Sequence, residues 1–456
     1  MKNAITGAVL LLLALVNPTL GQTAKSAAET KTFNIKTYGA IGDGETLSTE
    51  AIQKTIDACH AEGGGTVWVP AGDFVIGTIR LKSHVTLSLD HGASLLGSQN
   101  LADYASNLPK PREGWAECLI FAENATHIKI EGLGVIDGRG TREAFPWGKG
   151  NSPRLMRMEN CDQLTFSGVT YKRSAFWGLH LIDCRNIHFD AVTIYSRDNN
   201  RGNDGMDLDG CENVLVENCD INSGDDAICL KSTLNPCKKI VVRNCKVSSN
   251  TAALKFGTST HGGFIDVSVT NCYFYDCPSG AIKLQLVDGG RLENVEISRI
   301  MMENVGCPIF IRLGDRGNTY GKGGKAPVGT LKNIQISNVV ANVTIESKEK
   351  TPSSREIAKA GPIMIAGIPG HYIENVVLEN IKISYPGFGT EADTKRVVPE
   401  DEKKYPEQYF FGVLPAWGAY IRHAKNVEFK NVELTFRGAD ARKKIVLDDV
   451  EGFVER

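Results

Sequence analysis

The sequence has no surplus of charge of either sign. Its 51 Lys and Arg residues are almost balanced by 53 Asp and Glu residues, which leaves a net charge of −2. No stretch is dense enough in basic residues to bind the phosphates of a nucleic acid. None of the 12 cysteines forms a Cys-x-x-Cys pair, the spacing typical of a structural zinc site. We therefore expect no nucleic-acid partner, no metal and no cofactor.

Long apolar runs are also scarce. The one at the start, residues 8–16, is too short to anchor a protein permanently in a bilayer. It follows Lys2 and precedes the small residues Thr19 and Gly21, which is typical of a secretory signal. We predict a signal peptide over residues 1–21, one domain over residues 22–456, and export to the periplasm or the exterior.

Helical spacing is limited to one segment near the start. Ile52, Ile56 and Cys59 fall on one face of a helix that Ser48 or Thr49 would cap. The segments around it are β-type and are broken by glycine and proline. We predict a short helix that covers the N-terminal end of a β structure.

A repeat with alternating apolar residues dominates the rest of the chain. In its middle the copies begin every 26–28 residues, and longer spacings elsewhere carry inserted loops, including one over residues 385–409. The first apolar position of each copy is Ile128, Leu164, Ile187, Val214, Ile240, Val267, Val295, Ile334, Val376 or Val427. This period without helical segments indicates an all-β fold, a right-handed parallel β-helix.

Asparagine and cysteine recur together within the repeat, at residues 218–219, 244–245 and 271–272. Because equivalent residues of successive coils stack, we predict a ladder of asparagines beside a column of buried thiols. A disulfide between Cys211 and Cys237 remains a possible alternative for those two residues.

The second strand of each coil contains two apolar residues with one residue between them. The apolar residues should face inward, so the residue between them faces outward, and these residues form a column along successive coils. Lysines in this column suit an anionic substrate such as a uronic acid chain. Trp177, one coil before Asp204, could stack on a sugar ring or be buried. The predicted substrate-binding residues are Lys255, Lys283, His180, Asp207 and Trp177, and Cys229 lies in the same column.

Three acidic residues stand just before two of these strands. If Met206 pairs with Ile228, residues 22 apart in the sequence lie side by side, which places Asp204 next to Asp226 and close to Asp225. On strands about 4.8 Å apart, three carboxylates cannot all ionise easily, so at least one pKa should rise. Carboxylates with separated pKa values are what acid–base cleavage of a glycosidic bond requires. A solvated acidic edge or a calcium site is the alternative.

These residues resemble the polygalacturonase-like glycoside hydrolases called family 28, β-helix enzymes that hydrolyse pectin chains with inversion at the anomeric carbon. The family's Asn-Thr-Asp-Gly motif is matched loosely by residues 202–205, and its Gly-Asp-Asp motif by residues 224–226. The resemblance spans most of the chain after residue 21. It implies that Asp225 is the general acid and that Asp204 and Asp226 activate the attacking water.

Two motifs of the family are altered. Its Gly-His-Gly falls at residues 251–253, where Ala252 replaces the histidine, and its Arg-Ile-Lys falls at residues 281–283, where only the lysine remains. The missing pair helps to bind galacturonate in true polygalacturonases, and the rhamnogalacturonan-cleaving branch also lacks it. The resemblance therefore favours rhamnogalacturonan or a decorated galacturonan, an acidic plant-type polysaccharide, as the substrate of a monomeric hydrolase.

Two other functions stay open. A calcium-dependent polysaccharide lyase would hold its ion among acidic side chains and use Lys or Arg as the base. Those side chains would be Asp204, Asp207, Asp209, Asp225 and Asp226. A non-catalytic carbohydrate-binding solenoid would need no such machinery, and the lost histidine and arginine favour it.

Overall fold

The structure is a computed structural model that describes residues 31–146, 152–197, 202–321, 323–344 and 354–456. The backbone winds into the predicted right-handed parallel β-helix, whose 33 strands within these residues pair in parallel ladders. The predicted signal peptide lies outside the described residues. No helix in the described ranges is long and apolar enough to cross a membrane.

One ladder carries the candidate site and is called the site ladder. It ends at the first part of Ala416–Phe436 and then Lys443–Glu451. Its earlier strands are Ile79–Arg80, Cys118–Glu123, Arg154–Glu159, Leu179–Ile182, Met206–Asp209, Ile228–Lys231, Ala252–Phe256, Gly280–Leu286, Ile309–Leu313 and Ile363–Ala366.

Two further ladders close each coil. The strands of the second are Thr32–Asn34, Gly65–Val69, Val85–Leu89, Thr126–Gly132, Asp162–Ser167, Arg185–Asp190, Glu212–Glu217, Cys237–Arg243 and Val454–Glu455. Those of the third are Asp43–Leu47, Gly72–Ile76, Ala93–Gly97, Val135–Asp137, Thr170–Lys172, Thr193–Tyr195, Asp220–Ser223 and Lys246–Ser249. Longer strands then run through both: Phe264–Cys277, Arg291–Val305, Thr330–Val343, Ile373–Tyr385 and Ala416–Phe436.

The apolar positions of all three ladders face one continuous core. The predicted N-terminal helix spans Thr49–Ala61 and buries Ile52, Ile56 and Cys59 against it. Covering this end removes from water the apolar edge that an open stack of coils would expose.

The asparagine ladder is present as predicted. The side-chain amide of Asn271 donates to Asn244 at 2.8 Å, and that of Asn244 donates to Asn218 at 3.3 Å. All three residues have positive φ, which asparagine tolerates better than most residues. All 12 cysteines, including Cys211 and Cys237, are buried free thiols, so the column of thiols is confirmed.

A segment called the strap, residues 386–415, connects the strands Ile373–Tyr385 and Ala416–Phe436. It contains two short 3₁₀ helices, Asp393–Lys395 and Gln408–Phe411, and it lies along the C-terminal half of the site ladder. The remaining helices are the 3₁₀ turns Ile35–Tyr38 and Leu101–Asp103 and the α-helix Ser354–Lys359.

Candidate active site

The register of the site ladder brings the three aspartates together. Met206 pairs with Ile228 and Leu208 with Leu230, which is the predicted alignment. The backbone amide of Gly205 donates to the carbonyl of Asp226 at 2.9 Å, so the residues before the two strands are neighbours as well. Asp204 and Asp226 are both 4% exposed, whereas Asp225 beside them is partly exposed.

A single hydroxyl connects two of the carboxylates. Thr251 Oγ1 lies 3.1 Å from Asp225 Oδ1 and 2.9 Å from Asp226 Oδ1. A hydroxyl carries one proton, so it can donate to only one of these oxygens. Ser249 Oγ lies 3.3 Å from Thr251 Oγ1, so the hydroxyl of Thr251 connects the two carboxyl groups to each other and to a neighbouring serine.

The surroundings of the two carboxyls move their pKa values in opposite directions. Burial, followed by the negative charge of Asp226, raises the pKa of Asp225. Burial would also raise the pKa of Asp226, but Lys255 and then Lys283 overcome it and lower that pKa. Lys255 Nζ is 2.8 Å from Asp226 Oδ2. The arrangement therefore favours the protonated form of Asp225 over that of Asp226, its immediate neighbour.

Asp204 and Asp207 form a second acidic pair next to the first. Burial, then the charge of Asp207, raises the pKa of Asp204 well above its usual value. Burial raises the pKa of Asp207 to about 7, against the opposing effect of Lys231, whose Nζ lies 3.6 Å from Asp207 Oδ1. The predicted crowding of carboxylates thus raises several pKa values, not one.

These donors fit a calcium ion poorly. The one group of three side chains in the described residues that could share an ion consists of Asp204, Asp207 and Cys229, with ligand atoms within 4.8 Å of one another. Calcium takes six to eight oxygen ligands and does not prefer a thiol. Asp209, another acid of the lyase hypothesis, instead accepts hydrogen bonds from the backbone and hydroxyl of Thr233.

On the N-terminal flank of the aspartates lies a region that we call the arginine side, made of Arg154, Arg157 and His180. All three are at most 1% exposed, and His180 follows Arg157 in the column of the site ladder. Neither ring nitrogen of His180 has a hydrogen-bond partner in the described part of the chain, and the same holds for Arg157 Nη1. Burial lowers the pKa of His180, which keeps the ring neutral. His180 also lines a cavity of about 230 Å³ together with Glu113.

Trp177 lies between this region and the aspartates. Its ring packs edge-on against His180 at 5.0 Å, and Lys231 Nζ lies 4.1 Å from the ring centroid. The side chain is half-buried, which leaves part of the ring for a ligand.

On the C-terminal flank lies the lysine side, made of Lys255, Lys283 and the strap residue Glu407. Lys255 Nζ is 3.2 Å from Glu407 Oε1, and Lys283 forms a short ion pair with Glu407 Oε2. The exposed fractions of the lysines are 3% and 0%. Tyr405 of the strap accepts a further hydrogen bond from Lys255 at 3.2 Å. Although burial opposes it, the charges of Asp226 on Lys255 and of Glu407 on Lys283 raise both lysine pKa values.

All the residues predicted for the site lie on this one stretch of the site ladder. The predicted column is present, because His180, Asp207, Cys229, Lys255 and Lys283 pair in that order. Six further residues of the site were not predicted from the sequence: Arg154, Arg157, Lys231, Thr251, Tyr405 and Glu407.

Arg157 could have been found by extending the column one coil toward the N-terminus. Thr251 occupies a position that the motif comparison had already located, but its hydroxyl was not considered. Glu407 is 124 residues from Lys283, and nothing in the local pattern of the sequence connects them.

The class of protein defined by these observations is a parallel β-helix with a buried cluster of carboxylates on one outer face. The chain belongs to glycosyl hydrolases family 28, whose model matches residues 59–402. It is 31% identical over 294 residues to a probable polygalacturonase of Vitis vinifera, an alignment that covers 59% of this chain and 60% of the relative.

Two further similarities are informative. The chain is 27% identical over 245 residues to a probable rhamnogalacturonase A of Aspergillus oryzae, which covers 49% of this chain and 47% of that relative. The chain therefore matches only about half to three fifths of the length of these two curated relatives. The crystal structure of a hyperthermoactive exopolygalacturonase from Thermotoga maritima superposes with a TM-score of 0.71 at 20% identity, covering 89% of this chain and 92% of the other. At this identity the superposition shows the shared fold.

Proposed function

We propose that this chain is an exported glycoside hydrolase that cleaves α-linked, galacturonic-acid-containing pectic polysaccharide. Membership of family 28 supports the reaction class, and the named relatives support pectic substrates. Export rests on the sequence pattern of residues 1–21. The observation that carries the proposal is the shared Thr251 hydroxyl between Asp225 and Asp226, whose pKa values move in opposite directions.

In the proposed reaction Asp225 is the general acid. Its proton moves to the glycosidic oxygen as the bond from that oxygen to the anomeric carbon breaks. A water oriented by Asp204 attacks the anomeric carbon from the opposite face and gives its proton to Asp226. Lys255 keeps Asp226 ionised before that step. Thr251 then offers a path for the proton from Asp226 back to Asp225.

Inversion at the anomeric carbon is the stereochemical part of this proposal. Because Asp225 Oδ1 and Asp226 Oδ1 both contact one hydroxyl oxygen, they lie at most about 6 Å apart, which is below the roughly 6.5–9.5 Å typical of inverting enzymes. Inversion is therefore supported by the resemblance to family 28 and not by this distance. Retaining enzymes hold their carboxylates at about 5–5.5 Å. Proton NMR of the first product formed distinguishes the two outcomes, because an inverting enzyme gives the β anomer from an α linkage.

The decisive test is Asp225→Asn, measured on a panel of pectic oligosaccharides with products identified by mass. Loss of the general acid should lower kcat by about 10²- to 10⁴-fold while binding persists. A panel that the native protein binds but does not cleave would favour the carbohydrate-binding alternative. Products with an unsaturated, ultraviolet-absorbing end, formed only without chelator, would favour the lyase.

A further inference from the structure

The carboxylate of Glu407 is the feature of the lysine side that has no counterpart in the sequence pattern. One of its oxygens contacts Lys255 at 3.2 Å and the other pairs with Lys283. Glu407 is 5% exposed, so its charge is hidden from water with those of the lysines. A buried carboxylate held by two ammonium groups is the arrangement that a bound uronate would make with the same lysines.

The strap that carries Glu407 is fixed in place on both sides of this residue. Gln285 Nε2 donates to the carbonyl of Pro406 at 2.6 Å, and Arg312 donates to the carbonyl of Glu400 at 2.6 Å. Phe411 packs into an apolar cluster with Phe310 of the site ladder. Glu407 is therefore a built part of the site, held by contacts of the strap on both sides of it.

The charges in direct contact on the lysine side already balance. Lys255 and Lys283 bring two positive charges, and Asp226 and Glu407 bring two negative ones. A substrate carboxylate added here would leave one buried negative charge without a partner, and burying an unpaired charge is costly. It would also compete with Asp226, which must stay ionised to accept a proton.

We propose that Glu407 takes the place of a substrate carboxylate on the lysine side, so that the sugar unit bound there, next to the cleaved bond, is neutral. The inference rests on the proposed hydrolase function and adds a residue that determines its specificity. It replaces the expectation that Lys255 and Lys283 recognise a uronate directly. A polymer in which neutral and acidic sugars alternate meets this requirement, whereas a chain of galacturonate units does not.

The test is equilibrium binding of D-galacturonate and D-galactose to the full chain, by calorimetry, in the native protein and in Glu407→Ala. Removing the carboxylate opens room beside Lys283, which loses its carboxylate partner, and beside Lys255, which keeps Asp226. The variant should bind galacturonate at least tenfold more tightly than the native protein does, with galactose affinity unchanged. Galacturonate, but not galactose, should also raise its melting temperature. The matched control is Glu400→Gln, a strap carboxylate that pairs with Arg422 and should leave both affinities as they are.

A folded Glu407→Ala protein with unchanged galacturonate affinity would overturn the inference. If the alanine variant does not fold, Glu407→Gln keeps the side-chain volume and removes only the charge. Its kcat/KM for oligosaccharides with galacturonate at this place, relative to those with a neutral sugar, should then rise at least threefold, and an unchanged ratio would overturn the inference. Because the binding experiment needs no turnover, failure of the hydrolase proposal leaves its result interpretable.

Discussion

The arginine side and the lysine side flank the same aspartates, yet they differ in what their cations contact. On the lysine side each ammonium group has a carboxylate partner within the protein. On the arginine side His180 and Arg157 retain nitrogens without hydrogen-bond partners among the described residues, and His180 lines a cavity. Buried polar atoms are nearly always satisfied in folded proteins. Arg157 does pair with Glu159 at 3.2 Å, but His180 has no such partner in the described ranges and lines a cavity, so this flank can bind the polar groups of a ligand.

This difference separates two tasks. The lysine side holds Asp226 ionised through Lys255 and is neutral overall, so it serves the reaction. The arginine side offers a neutral imidazole and guanidinium groups, which can donate to the hydroxyls and carboxylate of a uronate. We therefore expect the acidic sugar to lie over the arginine side and the neutral sugar over the lysine side.

The largest effect expected from this comparison is that of His180→Ala. Removing both ring nitrogens takes away hydrogen bonds to the bound sugar, so KM for an acidic oligosaccharide should rise roughly tenfold or more. Steady-state kinetics on acidic and neutral substrates measure it. The control is His188→Ala, a partly exposed histidine of the second ladder that pairs with Glu217. Equal KM changes in the two variants would contradict the assignment.

The repeat in the sequence predicts the strands beneath both flanks, but it does not predict the strap that covers the lysine side. The asparagine ladder and the column from His180 to Lys283 follow from a repeat in which each coil copies the last, so register and alternation fix both. The strap is different, because its path depends on contacts such as Gln285 with Pro406 and on apolar packing far along the chain.

Alternation places the column from His180 to Lys283 on the outside of the coil, yet the structure buries it. Lys283 is fully buried because the strap lies over it, and no local sequence pattern predicts this burial. Likewise Thr251 stands where the family motif has a glycine, and only the position of Asp225 and Asp226 gives its hydroxyl a role. Repetition predicts the scaffold, whereas the site depends on the residues that break it.

A smaller effect is expected at Thr251, which lies between the two flanks. Its hydrogen bond lowers the pKa of Asp225 against the effects of burial and of Asp226. In Thr251→Val that pKa should rise, so the basic limb of the kcat/KM profile, where Asp225 loses its proton, should move to higher pH. The loss of the proton path should lower kcat about fivefold. Thr251→Ser keeps the hydroxyl, so its basic limb and its kcat should match those of the native protein. A basic limb that does not move in Thr251→Val would rule out an effect of Thr251 on the pKa of Asp225.

The last expected effect is on the free energy of unfolding and not on turnover, and it contrasts Asp207 with Asp226. Burial raises the pKa of Asp207 from 3.8 to about 7, so the native state binds a proton that the unfolded chain has lost. Its stabilising contribution is complete below the unfolded pKa and is lost as pH rises toward the native value. Asp207→Asn should therefore become more stable relative to the native protein as pH rises from 4 to 8, by roughly 4 kcal/mol.

Asp226 should show the opposite sign. Lys255 outweighs burial and lowers its pKa, so its contribution is present above the unfolded pKa and is lost as pH falls through the native one. Asp226→Asn should therefore cost most near neutral pH and least in acid. Denaturant unfolding of both variants from about pH 2 to pH 8 measures the two trends without any substrate, because the change at Asp226 falls below its unfolded pKa of 3.8. Parallel trends would mean that the lysine side does not hold Asp226 ionised, and the division of the cleft into two electrostatically different flanks would fail with it.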